Sequence, residues 1–261
     1  MLFDLHNDFP TRFFRADYSE YTDKRNGTIT AAIWTSQFGG DAVDRVNDIT
    51  ARLSAVGHTP IAIEDIGFTA SNELYKRFDF SRYLYCSLTW NYNTAFAGGA
   101  LDDGRLTEHG KSVIRVIEDG GCYIDLAHLN EASFYDVLDC AKNVLCSHTG
   151  FNDNPRSLDD MQIKALVARN AVIGLCVVQA FTGAHSAEEF AEVIDRFVQK
   201  YGCDSLALGT DFNGSDDIPD DIDDYDKLLK VRNILYDRGY DRQLVNKIFF
   251  DNANDIYANK K

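Results

Sequence analysis

The chain has 261 residues, 45% of them hydrophobic, so it can bury one large core or two small ones. Its formal net charge of -15 disfavours nucleic acid and anionic membranes, because clustered Lys and Arg hold such partners. No apolar run reaches the roughly 20 residues that a membrane-spanning helix needs, and a polar motif follows Met1 too closely for a signal peptide. We therefore expect a cytoplasmic protein with no nucleic-acid partner and no membrane association.

Short apolar and β-branched runs alternate with amphipathic stretches along the chain, a pattern typical of repeated βα units. The first run, "LFDLHND", is followed by a more irregular segment. Eight such runs predict strands at residues 2–8, 29–37, 59–65, 82–90, 122–128, 143–149, 171–178 and 205–212.

Two of the intervening stretches carry clear helix boundaries. "TEHGKSVIRVIEDGG" offers Thr107 as an N-cap and Gly120 and Gly121 as a stop, while "SAEEFAEVIDRFVQKYG" uses Ser186 and Gly202 in those roles. Eight strands with helical crossovers predict an α/β fold, a (β/α)8 TIM-like barrel of the metal-dependent hydrolase type, as a single domain over 1–261. A doubly wound open sheet is the alternative, although a dinucleotide-binding glycine fingerprint is absent after the first run.

The cysteines indicate a reducing compartment. They form no Cys-x-x-Cys pair, and several lie inside apolar runs such as "VIGLCVV", where a thiol behaves as a small core residue. We predict free thiols at Cys86, Cys122, Cys140, Cys146, Cys176 and Cys203.

Polar side chains end several of the predicted strands, where a barrel gathers its chemistry. They are His6 and Asp8 on the first strand, Glu64 on the third, His128 on the fifth, His148 on the sixth and Asp211 on the eighth. Imidazole and carboxylate are ligands that zinc favours, and residues at i and i+2 of a strand share a face. His6 and Asp8 therefore converge on one ion, while Asn7 faces away and hydrogen-bonds neighbouring backbone.

A lone histidine is weak evidence for a metal site, so the prediction depends on the whole set. The other histidines, His58, His109 and His185, are expected to be solvent-exposed and without function. The aromatic stretch "FPTRFF" at 9–14 either lines the pocket or packs beneath a loop.

Motifs at several separated positions resemble the membrane (renal) dipeptidases, a zinc-dependent branch of the amidohydrolase-like barrels. The motifs are "DLHNDFP", "SLTWNYN", "GRLTEHGKSVIRVIEDGGCYIDLAH", "SHTG", "PRSLDD" and "ALGTDFNG". The resemblance implies two zinc ions per chain: one held by His6, Asp8 and Glu64, the other by Glu64, His128 and His148, with Glu64 as the bridge.

The same resemblance implies roles for residues beyond the ligands. It places Asp211 beside the reacting water and Arg156 at the carboxylate of a dipeptide substrate. Trp90 stands where animal members carry a histidine near the scissile carbonyl, and it cannot titrate. A homodimer is also implied.

The expected function is therefore zinc-dependent hydrolysis of free dipeptides, with tolerance of a D-residue at the C-terminal position. One alternative is another metal-dependent hydrolase on this barrel, acting on a lactone, cyclic amide or N-acyl amino acid, because fold and ligands constrain the substrate loosely. The other alternative is a non-hydrolytic metal-binding or interaction protein.

Overall fold

Within the described residues, eight parallel strands close into a barrel in chain order, and pairing of Asp4 with Leu208 joins the first strand to the last. The computed structural model describes residues 1–14, 17–22, 27–58 and 60–260. The barrel prediction is confirmed and the doubly wound alternative is wrong. The strands are β1 (Phe3–Asn7), β2 (Thr28–Trp34), β3 (Ile61–Glu64), β4 (Tyr85–Ser87), β5 (Tyr123–Asp125), β6 (Val144–Thr149), β7 (Ile173–Leu175) and β8 (Leu206–Leu208).

Helices follow most of the strands. They are α1 (Phe9–Arg12), α2 (Ala42–Ala55), α3 (Glu108–Asp119), α4 (Glu131–Cys140), α5 (Asp160–Ala168), α6 (Gln179–Thr182), α7 (Ala187–Tyr201), α8 (Tyr225–Asp237), α9 (Arg242–Asn246) and α10 (Asn252–Lys260). A π-helical turn, Lys247–Asp251, joins α9 to α10.

The two helices with predicted boundaries begin and end as expected. The side chain of Thr107 accepts a hydrogen bond from the Gly110 N–H at the start of α3, and the N-cap Ser186 accepts from Glu189 N–H in α7. Gly202 ends α7 at a φ of 84°, a left-handed conformation that glycine adopts without a steric penalty.

The crossover between β3 and β4 differs from the others because it consists of short 3-10 helices, Ile66–Thr69, Ser71–Arg77 and Phe80–Arg82. Asp65 leaves β3 with a φ of 56°, which turns the chain sharply. Gly67 then packs so tightly that a Cβ there would lie 2.3 Å from Thr94 Oγ1. The segment between β3 and β4 therefore packs closely against the loop that follows β4.

Two clusters of buried apolar side chains surround the strands. The larger one packs helices such as α2, α3 and α7 against the sheet, and the smaller one joins Phe3, Leu5 and Tyr85 to Phe250 and Tyr257 near the C-terminus. Polar residues are nevertheless fully buried at the carboxyl ends of several strands, where the functional residues of such barrels lie.

The six cysteines are free thiols, and the Sγ atoms of the buried Cys86 and Cys122 lie 3.3 Å apart. In the part of the chain that the structure describes, no helix combines the length and apolarity needed to cross a bilayer.

Candidate metal centre

Six ligand-type residues from five different strands meet at one end of the barrel, and each is at most 8% exposed. His6, Glu64 and His148 lie within strands, whereas the others lie just beyond strand ends; the six are His6, Asp8, Glu64, His128, His148 and Asp211. Two of the latter have left-handed backbone, with φ of 68° at His128 and 61° at Asp211. Such strain in non-glycine residues persists where the surrounding structure holds it, often at functional sites.

His6 and Asp8 converge, although not as two residues of one regular strand. Asp8 follows β1 and occupies the N-cap position of α1, and the register of β1 shifts between Asp4 and Asn7. His6 Nε2 nevertheless lies 3.0 Å from Asp8 Oδ2 and 3.8 Å from Glu64 Oε2. The intervening Asn7 accepts a hydrogen bond from Phe9 N–H at 2.9 Å, as predicted.

Glu64 stands between two donor groups and turns a different oxygen toward each. Its Oε2 faces His6, while its Oε1 lies 4.0 Å from His128 Nε2 and 3.9 Å from His148 Nδ1. Glu64 therefore belongs both to a group with His6 and Asp8 and to a group with His128 and His148, each with donor atoms within 4.8 Å of one another. This is the arrangement that a carboxylate bridging two cations requires.

Two observations show that this donor set suits a cation. Glu64 Oε1 is buried and has no hydrogen-bond partner among the described residues, an unfavourable state for a carboxylate oxygen. The Nε2 atoms of His128 and His148 face each other at 2.9 Å. Imidazole nitrogen with carboxylate oxygen is the ligand chemistry of zinc and similar transition metals.

Charges at the site shift several pKa values strongly. Burial alone would lower the pKa of His6, but the carboxylates of Glu64 and Asp8 raise it to about 10. Burial, together with the neighbouring charges of Arg156 and His6, holds the pKa of His128 well below its usual value. Burial and the neighbouring charges of His6, His128 and Arg156 also hold the pKa of His148 well below its usual value.

Asp211 approaches the same centre from the end of β8. Its Oδ1 lies 3.9 Å from His6 Nε2, and it forms a third donor group with His6 and His148. Burial and the charge of Asp8 raise the pKa of Asp211 to about 7. A carboxyl group of that pKa is suited to accept and return a proton at neutral pH.

Gly214 allows the β8 loop to cover these carboxylates closely. A Cβ at Gly214 would lie 2.2 Å from Asp211 Oδ1 and 2.4 Å from Asp8 Oδ2. The absence of a side chain at this position therefore keeps space for the site. The glycine of "DFNG" is the signal of this close approach in the sequence.

A cavity of about 380 Å³ opens above the donor groups. Arg156 and Trp90 both line it, together with Trp34 and Phe181. Arg156 is 8% exposed; its Nη2 donates a hydrogen bond to His148 Nε2 at 3.0 Å, and its guanidinium stands 5.5 Å from the centre of the Phe181 ring. The indole rings of Trp34 and Trp90 pack 4.7 Å apart, forming an aromatic wall.

Residues 9–14 were predicted either to line the pocket or to pack beneath a loop, and different residues of the stretch do each. Phe9 is buried and stacks on Tyr21 with 3.9 Å between ring centres, whereas Thr11 and Arg12 line the cavity. Arg12 Nη1 donates to the exposed Asp216 at 2.8 Å.

The structure corrects two expectations about the remaining histidines. His185 is exposed as expected, but His109 is half-buried with its ring 4.9 Å from the Phe96 ring, and His58 is 4% exposed and packs 5.4 Å from the Phe9 ring. The expectation for His58 was wrong because the segment after β1 folds over it, and local sequence gives no sign of that contact.

Sequence reasoning missed the residues that contact the Nδ1 atoms of the three histidines. Tyr85 OH lies 2.7 Å from His6 Nδ1, Ser147 Oγ lies 2.8 Å from His148 Nδ1, and Asn91 Oδ1 accepts from His128 Nδ1 at 3.0 Å. The sequence does contain signals for these residues. Ser147 and Asn91 are adjacent to His148 and Trp90, and Tyr85 places a hydroxyl group within an apolar run.

The family model of the membrane dipeptidases, peptidase family M19, matches residues 69–259. This region contains His128, His148, Arg156 and Asp211 but begins after His6, Asp8 and Glu64. The geometry of the first donor group is therefore evidence independent of that match.

Two curated relatives are also similar. An uncharacterized protein in the pqqA 5' region of Klebsiella pneumoniae is 29% identical over 178 residues, 64% of this chain and 65% of the relative. An uncharacterized dipeptidase of Schizosaccharomyces pombe is 24% identical over 168 residues, 59% of this chain and 41% of the relative. The matched part of the chain thus spans less than two thirds of the length of each.

Two solved structures share the fold over almost the whole chain. The metallopeptidase "dipeptidase AC" of family M19 superposes with a TM-score of 0.82 at 20% identity, covering 98% of this chain and 97% of its own. A metallopeptidase from Rhodobacter sphaeroides, liganded with a phosphinate mimic of the dipeptide L-Ala-D-Ala, gives 0.80 at 17% identity, covering 100% and 99%.

Proposed function

The chain belongs to the membrane dipeptidase family, peptidase family M19, and on this basis we propose that it hydrolyses free dipeptides in a metal-dependent reaction. The observation that carries the proposal is Glu64, whose two carboxylate oxygens face two different groups of ligand-type residues. A carboxylate so placed, with one oxygen lacking any described partner, is suited to bridge two ions.

The proposed cofactor is a pair of zinc ions. His6, Asp8 and Glu64 would hold one, and Glu64, His128 and His148 the other. When bound at such a site, zinc lowers the pKa of water toward neutrality and polarises a carbonyl oxygen. The family's metal dependence and the nitrogen and oxygen donors support this assignment.

Asp211 is proposed to move the proton. Its carboxylate lies 3.9 Å from His6 Nε2 at the edge of the donor groups, where it could take a proton from the attacking water and return it to the leaving amine. Its position on the cavity wall beside His6 supports this role.

Arg156 and Trp90 are proposed to bind the substrate. The Arg156 guanidinium is a planar fork suited to the α-carboxylate of a dipeptide, and it lines the cavity within reach of His148. Trp90 would form part of the wall for a substrate side chain. The ligand of the Rhodobacter relative, a mimic of L-Ala-D-Ala, supports a small dipeptide with a D-residue at the C-terminal position.

A substrate panel tests the proposed function. Zinc-loaded protein is assayed with L-Ala-D-Ala, L-Ala-L-Ala, N-acetyl amino acids, a cyclic amide and a lactone. The proposal predicts that free dipeptides have the highest kcat/KM. Faster turnover of N-acyl amino acids, cyclic amides or lactones would assign the site to another hydrolase, and metal binding without any turnover would remove the enzymatic proposal.

A further inference from the structure

His148 is held by partners on both ring nitrogens, and each partner restricts where the ring proton can lie. On one side, Arg156 Nη2 lies 3.0 Å from His148 Nε2. A guanidinium nitrogen can donate but cannot accept, so Nε2 must carry the lone pair. The proton of this neutral imidazole must therefore be on Nδ1.

The partner of Nδ1 leads independently to the same tautomer. Ser147 Oγ lies 2.8 Å from His148 Nδ1 and also makes a short hydrogen bond to Asp125 Oδ2. Burial raises the pKa of Asp125, but the hydrogen bonds from Ser147 and Ala127 oppose that shift and favour the ionised form. A hydroxyl group has one proton, and an ionised carboxylate only accepts, so Ser147 donates to Asp125. Its oxygen is then free to accept the proton on Nδ1.

Asp125 is fixed in turn by backbone. Its Oδ1 accepts hydrogen bonds from Ala127 N–H at 3.0 Å and from Ser147 N–H at 2.8 Å, and its side chain is fully buried. Both carboxylate oxygens are thus committed as acceptors. The carboxylate cannot rotate without leaving buried N–H groups unsatisfied.

We propose that Asp125 and Ser147 are positioning residues that act through His148: Asp125 fixes the direction of the Ser147 hydroxyl, which holds the His148 proton on Nδ1. The Nε2 lone pair, which faces His128 Nε2 and accepts from Arg156, is then available to a metal that displaces the Arg156 contact. Partners of this kind orient metal-binding histidines, and their loss typically weakens metal affinity by roughly 10- to 100-fold. The inference rests on the proposed metal site but not on the identity of the substrate.

Asp125→Asn provides a specific test because the new amide can fit in one orientation. Its oxygen must remain opposite the N–H groups of Ala127 and Ser147, which places the NH2 group against Ser147 Oγ. The amide then donates to Ser147, and the Ser147 hydroxyl turns to donate to His148 Nδ1. The ring proton would then have to lie on Nε2, opposite the Arg156 N–H, and zinc binding through that nitrogen would require its displacement.

The first measurement needs no variant. Nitrogen-15 NMR of the histidine rings in the metal-free protein, with the His148 signals assigned by their loss in His148→Gln, distinguishes a protonated from an unprotonated Nδ1. We expect the proton of His148 on Nδ1 in the parent protein. A proton on Nε2 would overturn the proposal, whether or not the protein hydrolyses dipeptides.

The second measurement is zinc affinity, determined by competition with a chromophoric chelator. Asp125→Asn should weaken binding at one site by roughly 10- to 100-fold. The double variant Asp125→Asn with Ser147→Ala should bind more tightly than Asp125→Asn alone, because no hydroxyl remains to force the proton onto Nε2. A simple structural defect at Asp125 would not be relieved by a second deletion.

Asp4→Asn is the matched control. Asp4 is an equally buried carboxylate that accepts from Thr210, from Tyr225 and from the backbone N–H of His6, but it contacts no histidine ring, so it serves as a control for the His148 ring signals only. Its variant should leave the His148 ring signals unchanged. Equal zinc affinity of the single and double Asp125 variants would contradict the proposed roles of Asp125 and Ser147. If Asp125→Asn does not fold, a parent spectrum with the His148 proton on Nε2 would still overturn the proposal.

Discussion

The imidazole rings of His128 and His148 face each other across the end of the barrel with their Nε2 atoms 2.9 Å apart. His148 Nε2 accepts a hydrogen bond from Arg156, so it presents a lone pair. Asn91 Oδ1 next to His128 Nδ1 indicates that His128 Nε2 presents one too. Two lone pairs at this separation repel, and a cation bound between them and Glu64 would turn that repulsion into attraction.

Asp211→Asn should separate catalysis from metal binding. The carboxamide fits the same space, and Asn tolerates the left-handed backbone at this position. We expect unchanged metal content and a loss in kcat of about 10²-fold or more, because an amide cannot take the proton of water. Steady-state kinetics and elemental analysis check this, with Asp220→Asn on the same loop as the control. Near-normal kcat would remove Asp211 from proton transfer, and loss of metal would make it a ligand.

Arg156→Ala should affect substrates according to their terminal charge. Loss of a buried charge-assisted pair should reduce kcat/KM for free dipeptides by about 2 to 4 kcal/mol, or roughly 30- to 1000-fold. A dipeptide amide lacks that charge and should lose much less.

Arg12→Ala is the matched control for Arg156, since Arg12 lines the same cavity but is paired with the exposed Asp216. It should not distinguish dipeptide from dipeptide amide. If the charge-dependent loss appears with Arg12→Ala instead, the carboxylate subsite lies on the β1 side of the cavity.

Gly214→Ala should weaken zinc binding and turnover, because its added methyl group displaces two carboxylates of the site. The added Cβ would press on both Asp211 and Asp8 at distances that atoms do not occupy, so these carboxylates must move. We expect weaker zinc binding and a strong loss of turnover. Gly40→Ala should be neutral because a Cβ there meets nothing within 4 Å. Full activity of Gly214→Ala would show that the β8 loop can shift freely.

His58 should make stability depend on pH away from the metal site. Burial lowers its pKa to about 4, although the nearby backbone of Ile29 and Tyr21 acts in the opposite direction. The unfolded chain, with a pKa near 6.5, binds the proton first as pH falls. The contribution of His58 is therefore complete above pH 6.5 and is lost progressively toward pH 4.

Urea unfolding of the parent and of His58→Leu at pH 7.5 and pH 5 checks this. Between the two pH values, the parent should lose about 2 kcal/mol more unfolding free energy than the variant. Comparing the two proteins cancels titration at the metal site. Parallel losses in both would mean that His58 is not buried in solution.

The sequence predicts the barrel and the clustering of its candidate ligands because both depend on local patterns, whereas Arg156 and Trp90 were singled out only through the family resemblance. Apolar runs mark the strands, and polar residues such as His6 and Glu64 end them in positions that an apolar core cannot explain. The prediction that His6 and Asp8 lie close together is confirmed, but its reason was wrong. The two residues do not share a strand face, because Asp8 is the N-cap of α1.

What the sequence could not predict depends on contacts between distant segments. The burial of His58 requires the segment after β1 to fold over it. The hydrogen bonds from Asp125 through Ser147 to His148 connect β5 to β6, and their directions cannot be read from the sequence. The close packing of Gly67 against Thr94 in the 3-10 crossover after β3 joins positions 27 residues apart, and no local periodicity reveals it.

A zinc titration of the metal-free protein, followed by turnover of L-Ala-D-Ala and by the amount of bound metal, tests the central claim most directly. With Glu64 bridging two donor groups, we predict no turnover without metal and a rise to maximal turnover at two zinc ions per chain, reversed by chelator. Turnover in the metal-free protein, or maximal turnover with a single bound ion, would contradict a two-ion dipeptidase site.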